Sequence, residues 1–398
     1  MDLLQGGIVR RSTAMLAAGM LLLAACRGAS TAEGSLTTTT TTRPIETTTV
    51  PSTTTTTGAS TTTTTTFPPR FASVDLFTFV SAGPVITNGP DLEWDWQHTD
   101  PGAAVYHDGS IHVFQNGFVG WPAPVGVGYW RSDDLGKTWI EVSEDPVFDG
   151  TDLDYVGRAA LASSVLVDDD GTWVLYFYTW DSPGWPAGQS KIGRATAPSP
   201  TGPWTADLQP VLFPGPAGSW DEYAVLAPSV IKTETGYEMY FAGRTRDGAM
   251  IGRATSPDGI SWTKYDNPAT TDDPFGASDP VMRPGDPREG NVWDLRNVMQ
   301  PRVALTNDGY VMLYTAANTI TDPVLISQKY GLAVSDDGLE WRRSSGEVIT
   351  PGTIDTAAFW YTEQLFAEGS YFLFVEAARG NETEVYLATH QGPLSLDG

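Results

Sequence analysis

The sequence predicts an all-β protein: a five-bladed β-propeller preceded by a signal peptide and a disordered Thr-rich stalk. Two observations carry that prediction. A turn ending in Trp or a similar residue recurs along the chain, each time downstream of an apolar strand pair joined through Gly. The composition agrees, because 41 Gly and 29 Pro beside 14 Trp, 15 Tyr and 15 Phe suit short strands and tight turns better than helices.

The N-terminal element, residues 1–25, reads as an export signal. Arg10 and Arg11 supply its charge, and the apolar run at 14–25 is too short for a stop-transfer helix. The run ends in Leu23-Ala24-Ala25-Cys26, which resembles the bacterial lipobox, and Cys26 is the chain's only cysteine. The resemblance implies lipidation at Cys26 and an address on the outer face of a bacterial membrane. A single cysteine also excludes an intrachain disulfide.

Residues 26–69 form the second element, with Thr runs at 37–42, 47–49, 53–57 and 61–66 broken by Pro44, Pro51, Pro68 and Pro69. Such a segment has nothing to bury and reads as a linker. Fully extended, its roughly 40 residues reach on the order of 140 Å. The third element, residues 70–398, carries the repeat. The turns are SDDLGKTW (132–139), APSPTGPW (197–204), SPDGISW (256–262) and SDDGLEW (335–341), with a degenerate ATHQGPL (388–394). Upstream of them, hairpins turn at Gly109, Gly171, Gly236, Gly309 and Gly369. Four antiparallel strands at this period make a propeller blade, and residues 71–80 are expected to complete the last one. The Asp, Gly and Trp of the turn are read as folding residues, with the carboxylate bonding turn amides and the Trp wedged between blades.

The five blades, the Asp-Pro at 100–101, the later Ala-Pro and Gln-Pro pairs and the Trp-ended turns resemble the five-bladed β-propeller glycosidases, namely glycoside hydrolase family 43 and families 32 and 68. The resemblance covers about residues 90–394. It implies carboxylates projecting into the central funnel from the innermost strands, with Asp100 as general base or nucleophile. The chain departs from the pattern twice, having Ala227-Pro228-Ser229 and Met299-Gln300-Pro301 where the family places carboxylates. Glu222 and Glu363 begin other blades and do not recur; Glu222 is the preferred acid and Glu363 its competitor. A Trp-Asp pair does recur at 94–95, 220–221 and 293–294, which favours a structural cap; Asp221, Asp294, Trp96 and Trp293, with Arg158 and Arg296, are also candidates for holding the sugar.

Glycoside cleavage requires one carboxylic acid to protonate the leaving oxygen and one carboxylate to attack or to direct water. The expected partner is therefore an oligosaccharide or polysaccharide of arabinoside, xyloside or fructoside type, bound by a monomer. A net charge of −25, from 23 Lys and Arg against 48 Asp and Glu, excludes nucleic acid as a partner. No cofactor or catalytic metal is expected; a structural calcium in the channel is compatible with the family. Two other readings stand beside this one: a non-catalytic glycan-binding propeller, and a sialidase-like hydrolase suggested by SDDLGKTW. Replacing Cys26→Ser is expected to release the protein from membranes or to block its processing. Unchanged fractionation and unchanged mass would refute the lipid anchor.

Overall fold

The computed structural model describes residues 70–71, 76–120, 124–181, 189–289, 293–307, 309–317, 329–349, 354–356 and 358–394. The signal peptide, Cys26 and the stalk lie outside them. Nearly all regular structure is β, built as meanders of four antiparallel strands. The first unit comprises β2 (His98–His107), β3 (Ser110–Phe118), β4 (Gly126–Ser132) and β5 (Ile140–Phe148), and a two-residue strand β1 (Thr78–Phe79) precedes it. The second comprises β6 (Ala159–Val167), β7 (Trp173–Trp180), β8 (Ile192–Ala197) and β9 (Thr205–Ala206). The third has β10 (Ala224–Thr233), β11 (Gly236–Arg244), β12 (Ala249–Ser256) and β13 (Thr263–Lys264), with β14 (Pro280–Met282) returning onto β12. The fourth has β15 (Asn297–Thr306), β16 (Gly309–Ala317), β17 (Lys329–Ser335) and β18 (Arg342–Arg343). The last has β19 (Ala358–Ala367), β20 (Ser370–Arg379) and β21 (Glu382–Gln391).

The innermost strands β2, β6, β10, β15 and β19 each touch the next, and β19 touches β2, so the units form a closed ring. Closure takes its outer strand from the other end of the chain. Thr78 and Phe79 pair with Thr389 and Ala388 of β21, which makes the short N-terminal strand the fourth strand of the last unit. Each unit is apolar on both faces and covers them only against its neighbours. Along β20, Tyr371, Leu373, Val375 and Ala377 pack with Val311, Leu313 and Leu332 of the fourth unit. Phe372 and Phe374, of opposite parity, pack with Ile111 and Val113 of the first.

The recurrent turns do what their composition predicts. The Asp258 carboxylate accepts hydrogen bonds from the amides of Ile260 and Ser261, the Ser256 hydroxyl accepts one from Gly259, and the Trp262 indole donates to the Gly259 carbonyl. Asp134 and Asp337 repeat the arrangement. Each turn docks on the unit before it: the Tyr176 hydroxyl on β7 donates to the Gly259 carbonyl, and Tyr240 on β11 donates to that of Gly338.

The Trp-Asp pairs form a second repeated device. Trp94 lies over Gly117, Gly126 and Gly128, Trp220 over Gly243 and Gly252, and Trp293 over Gly331. A Cβ on Gly331 would stand 2.4 Å from the Trp293 ring, so glycine there is a matter of space. Gly331→Ala is expected to cost about 1–3 kcal/mol by overpacking, read as a lowered denaturant midpoint at an unchanged slope. An unchanged midpoint would show that the Trp293 ring is free to move aside.

Candidate functional site

The innermost strands share a break in their ladders. Pairing shifts between Asp100 and Ala103 on β2, Leu226 and Ser229 on β10, Met299 and Arg302 on β15, and Phe359 and Thr362 on β19. Such bulges bend a strand and redirect its side chains. The ladders also shift by one residue the alignment that the hairpin glycines give. Asp100 lies opposite Asn116, as Leu226 lies opposite Ala242 and Met299 opposite Thr315, so Asp100 is equivalent to Leu226 and Met299 rather than to Ala227 and Gln300. The left-handed residue moves accordingly: it is Gly102 (φ 53°) on β2, but Ala227 and Gln300 (both φ 51°) on β10 and β15. A Cβ on Gly102 would fall 2.0 Å from the Phe114 carbonyl oxygen, so the first bulge requires glycine.

Asp100 is 2% exposed and held through one oxygen. Its Oδ1 accepts from the Gly102 amide and from Asn116 Nδ2, each at 2.8 Å. Asn116 is fixed in turn by the second unit, donating to the Ala162 carbonyl at 3.0 Å and accepting from the Ala162 amide at 2.7 Å. Oδ2 makes no hydrogen bond among the described residues. Burial pushes the Asp100 carboxyl up to about 6, against the pull of Asn116, Gly102 and the Arg302 charge.

Glu363, one residue past the bulge of β19, is 6% exposed. Its Oε1 accepts from the Gln364 amide at 3.0 Å. Arg302 Nε lies 3.0 Å from Oε2, yet its N–H is aimed at the Thr362 carbonyl at 2.8 Å, so the contact is one of charge. Arg302 Nη1 donates to the Pro301 carbonyl at 3.0 Å. Burial drives Glu363 up to about 8, with Arg302 opposing and Asp100 reinforcing the shift. Tyr178 and Tyr361 are hydrogen-bonded to each other within reach of Asp100 and Arg302, and burial raises both phenols. Tyr361 is half-buried.

Of the residues chosen from sequence, the structure thus brings Asp100 and Glu363 together. Glu222 is not drawn in: it is exposed, and its carboxylate accepts from the Gly218 amide four residues back. Asp221 and Asp294 are fully buried and already neutralised. Lys264 and Ser219 hold Asp221, while Arg70, Arg343 and the Tyr314 hydroxyl hold Asp294. Trp293 is a core residue stacked on Tyr314 at 5.7 Å. These three are corrections to the expected sugar contacts; the recurrent pair caps the units. Arg158 is exposed on the second unit, Arg296 and Trp96 are half-buried, and among the described residues nothing ties them to Asp100. A cleft of about 500 Å³ between the segment after β1 and the first turn is lined by Val85, Trp130, Leu135 and Trp139, and by none of the carboxylates.

Sequence reasoning missed Asn116, Arg302, Tyr178 and Glu376. Arg302 and Glu376 had a signal, since each is a lone charge inside an apolar run, in VMQPRVAL and LFVEAA. Among the described residues no three His, Cys, Asp or Glu side chains converge as metal ligands.

A solved glycosyl hydrolase from Bacteroides ovatus superposes at a TM-score of 0.61 over 81% of this chain and 96% of its own, at 18% identity. The fold is that of the propeller glycosidases. A structure from work on GH130 mannoside phosphorylases and glycoside hydrolases that target β-1,2 mannosidic linkages in Candida mannan gives 0.60 over 82% and 96%, at 19% identity. A thermostable family-43 glycoside hydrolase gives 0.52 over 75% and 91%, at 16% identity. No family model matches the chain, and no curated protein does.

Carboxyls with raised folded values bind protons more tightly in the folded chain, so they remove stability as pH rises. For Asp100 the loss runs from its ordinary value of 3.8 to about 6, and for Glu363 from 4.5 to about 8. Asp100→Asn is expected to flatten the lower part of the decline and Glu363→Gln the part reaching about 8. Denaturant midpoints measured between about pH 4 and 9 test this, and variants with the wild-type slope would refute it.

Proposed function

We propose that this protein is a glycoside hydrolase acting on an oligosaccharide or polysaccharide, with Asp100 as general base or nucleophile and Glu363 as the proton donor. One observation carries the reading: two carboxyls on innermost strands share a buried site with Arg302, and their surroundings separate their titration to about 6 and about 8. Near neutral pH the first is ionised and the second protonated, which is the division of labour that glycoside cleavage requires. The free Oδ2 of Asp100 is the oxygen available to a water or an anomeric carbon. Asn116 and Gly102 keep that oxygen oriented without protonating it.

Arabinosides, xylosides and fructosides are the substrates favoured by the sequence, and the GH130 neighbour adds β-1,2-linked mannosides. Tethering through Cys26 and the Thr-rich segment would place the enzyme at the outer surface of a bacterial membrane, where such polymers are met. A glycan-binding propeller is the second reading, favoured by Ser229 and Met299 standing where the family resemblance places carboxylates. Reducing-sugar release from a panel of these glycans separates the two. In an active wild type, Asp100→Asn is expected to lower kcat/KM by several orders of magnitude and to leave glycan binding in place. A loss below about tenfold, roughly 1.4 kcal/mol of transition-state stabilisation, would make Asp100 structural. Retention of glycan without turnover by the wild type would favour the binder.

A further inference from the structure

The strand beside each bulge carries one residue opposite it. That residue is Gln115 in the first unit, Phe241 in the third, Tyr314 in the fourth, and Glu376 on β20 in the last. Gln115 binds Asp95, and Phe241 and Tyr314 stack on the tryptophans of the Trp-Asp pairs. Glu376 alone puts an acid there. It has no exposed surface. By strand parity it shares a face with Phe372 and Phe374, which meet the first unit, where Asp100 resides.

Neither oxygen of Glu376 has a hydrogen-bond partner of full geometry among the described residues. Its polar neighbours are the Thr383 hydroxyl and the Tyr361 amide. That hydroxyl already accepts from the Thr99 amide and contacts His98 Nδ1, each at 3.3 Å. The titratable groups around Glu376 are Asp100 and His98 on β2, Tyr361 on β19 and Tyr330 on β17. His98 is held neutral by burial and offers no charge in compensation. Arg302 on β15 acts on Asp100 and Glu363 instead.

We infer that Glu376 is a positioning residue that keeps a proton beside Asp100, so that the two carboxyls together carry one negative charge and Asp100 bears it. An isolated carboxylate without donors is too costly to bury. Two like charges at adjoining buried positions are costlier still, so the proton goes to the acid with the fewer donors. Asp100 has the Gly102 amide and Asn116; Glu376 has neither. Burial and the Asp100 charge both raise Glu376 well above the ordinary carboxyl range. Its catalytic consequence, a base that stays ionised without a second anion beside it, rests on the glycosidase reading; the proton itself does not.

Infrared difference spectroscopy near pH 7 reads the proton directly. Glu363→Gln protein is expected to retain a protonated-carboxyl band, and adding Glu376→Gln is expected to remove it. Denaturant unfolding between about pH 5 and 7.5 gives a second readout. The folding constant of Glu376→Gln is expected to fall less steeply than that of the wild type, by up to about tenfold per pH unit. No band in Glu363→Gln, or a wild-type pH slope in Glu376→Gln, would overturn the inference. If Glu376→Gln does not fold, the Glu363→Gln spectrum decides alone. A wild type that cleaves no glycoside, beside a Glu363→Gln protein that retains the band, would refute the hydrolase reading and leave this one standing.

Discussion

Every four-stranded unit of this protein has two apolar faces and covers neither by itself, so each is stable only when both neighbours are in place. That requirement makes ring closure the condition for everything else. β20 meets Val311 and Leu332 of the fourth unit on one face and Ile111 and Val113 of the first on the other. The two-residue pairing of Thr78 and Phe79 with β21 then ties the start of the folded chain to its end. A charged cluster at the centre of such a ring is dehydrated by all the units at once, whichever strand contributes it.

Repetition and function divide along this line. The SxDG turns and the Trp-Asp pairs serve the seams, which every unit has, and therefore recur. Asp294 shows how completely they are used up, with two arginines and a tyrosine hydroxyl on one buried carboxylate. The central cluster is assembled from what does not recur: a Gly in the bulge of β2, an Arg at the end of that of β15, a Glu after that of β19, and an acid on β20. Asn116 joins the two systems, because the side chain that orients Asp100 also binds the backbone of the next unit.

The repeat was legible in the sequence because it is local: an Asp and the amides it binds lie within four residues. Asp100 was legible through its Asp-Pro pair near the start of an innermost strand, and Glu363 as an acid that does not recur. Glu222 misled for a related reason. It is a unique acid near a strand start, but strand position does not say whether a side chain turns inward, and Glu222 turns to its own Gly218 amide. The alignment by hairpin glycine slipped by one residue because Gly109 precedes the first paired residue of its strand, whereas Gly236 and Gly309 are that residue. Arg302 and Glu376 are visible as lone charges in apolar runs; their meeting with Asp100 depends on how five units close, which no local pattern encodes.

Charge balance orders the site. Asp100, Glu363 and Glu376 are three buried acids, and Arg302 is the cation that acts on the first two. One buried cation compensates one anion, so the remaining two acids are cheapest protonated. Asp100 ionises first because an amide N–H and an amide side chain already solvate it. Glu363 follows, at about 8, because Arg302 approaches one of its oxygens without bonding it. Glu376, whose oxygens meet no donor of full geometry among the described residues, is raised well above the ordinary carboxyl range. The lower value of Asp100 against Glu363 thus follows from the donors each carboxyl meets, and the ladder shifts on their strands place those donors.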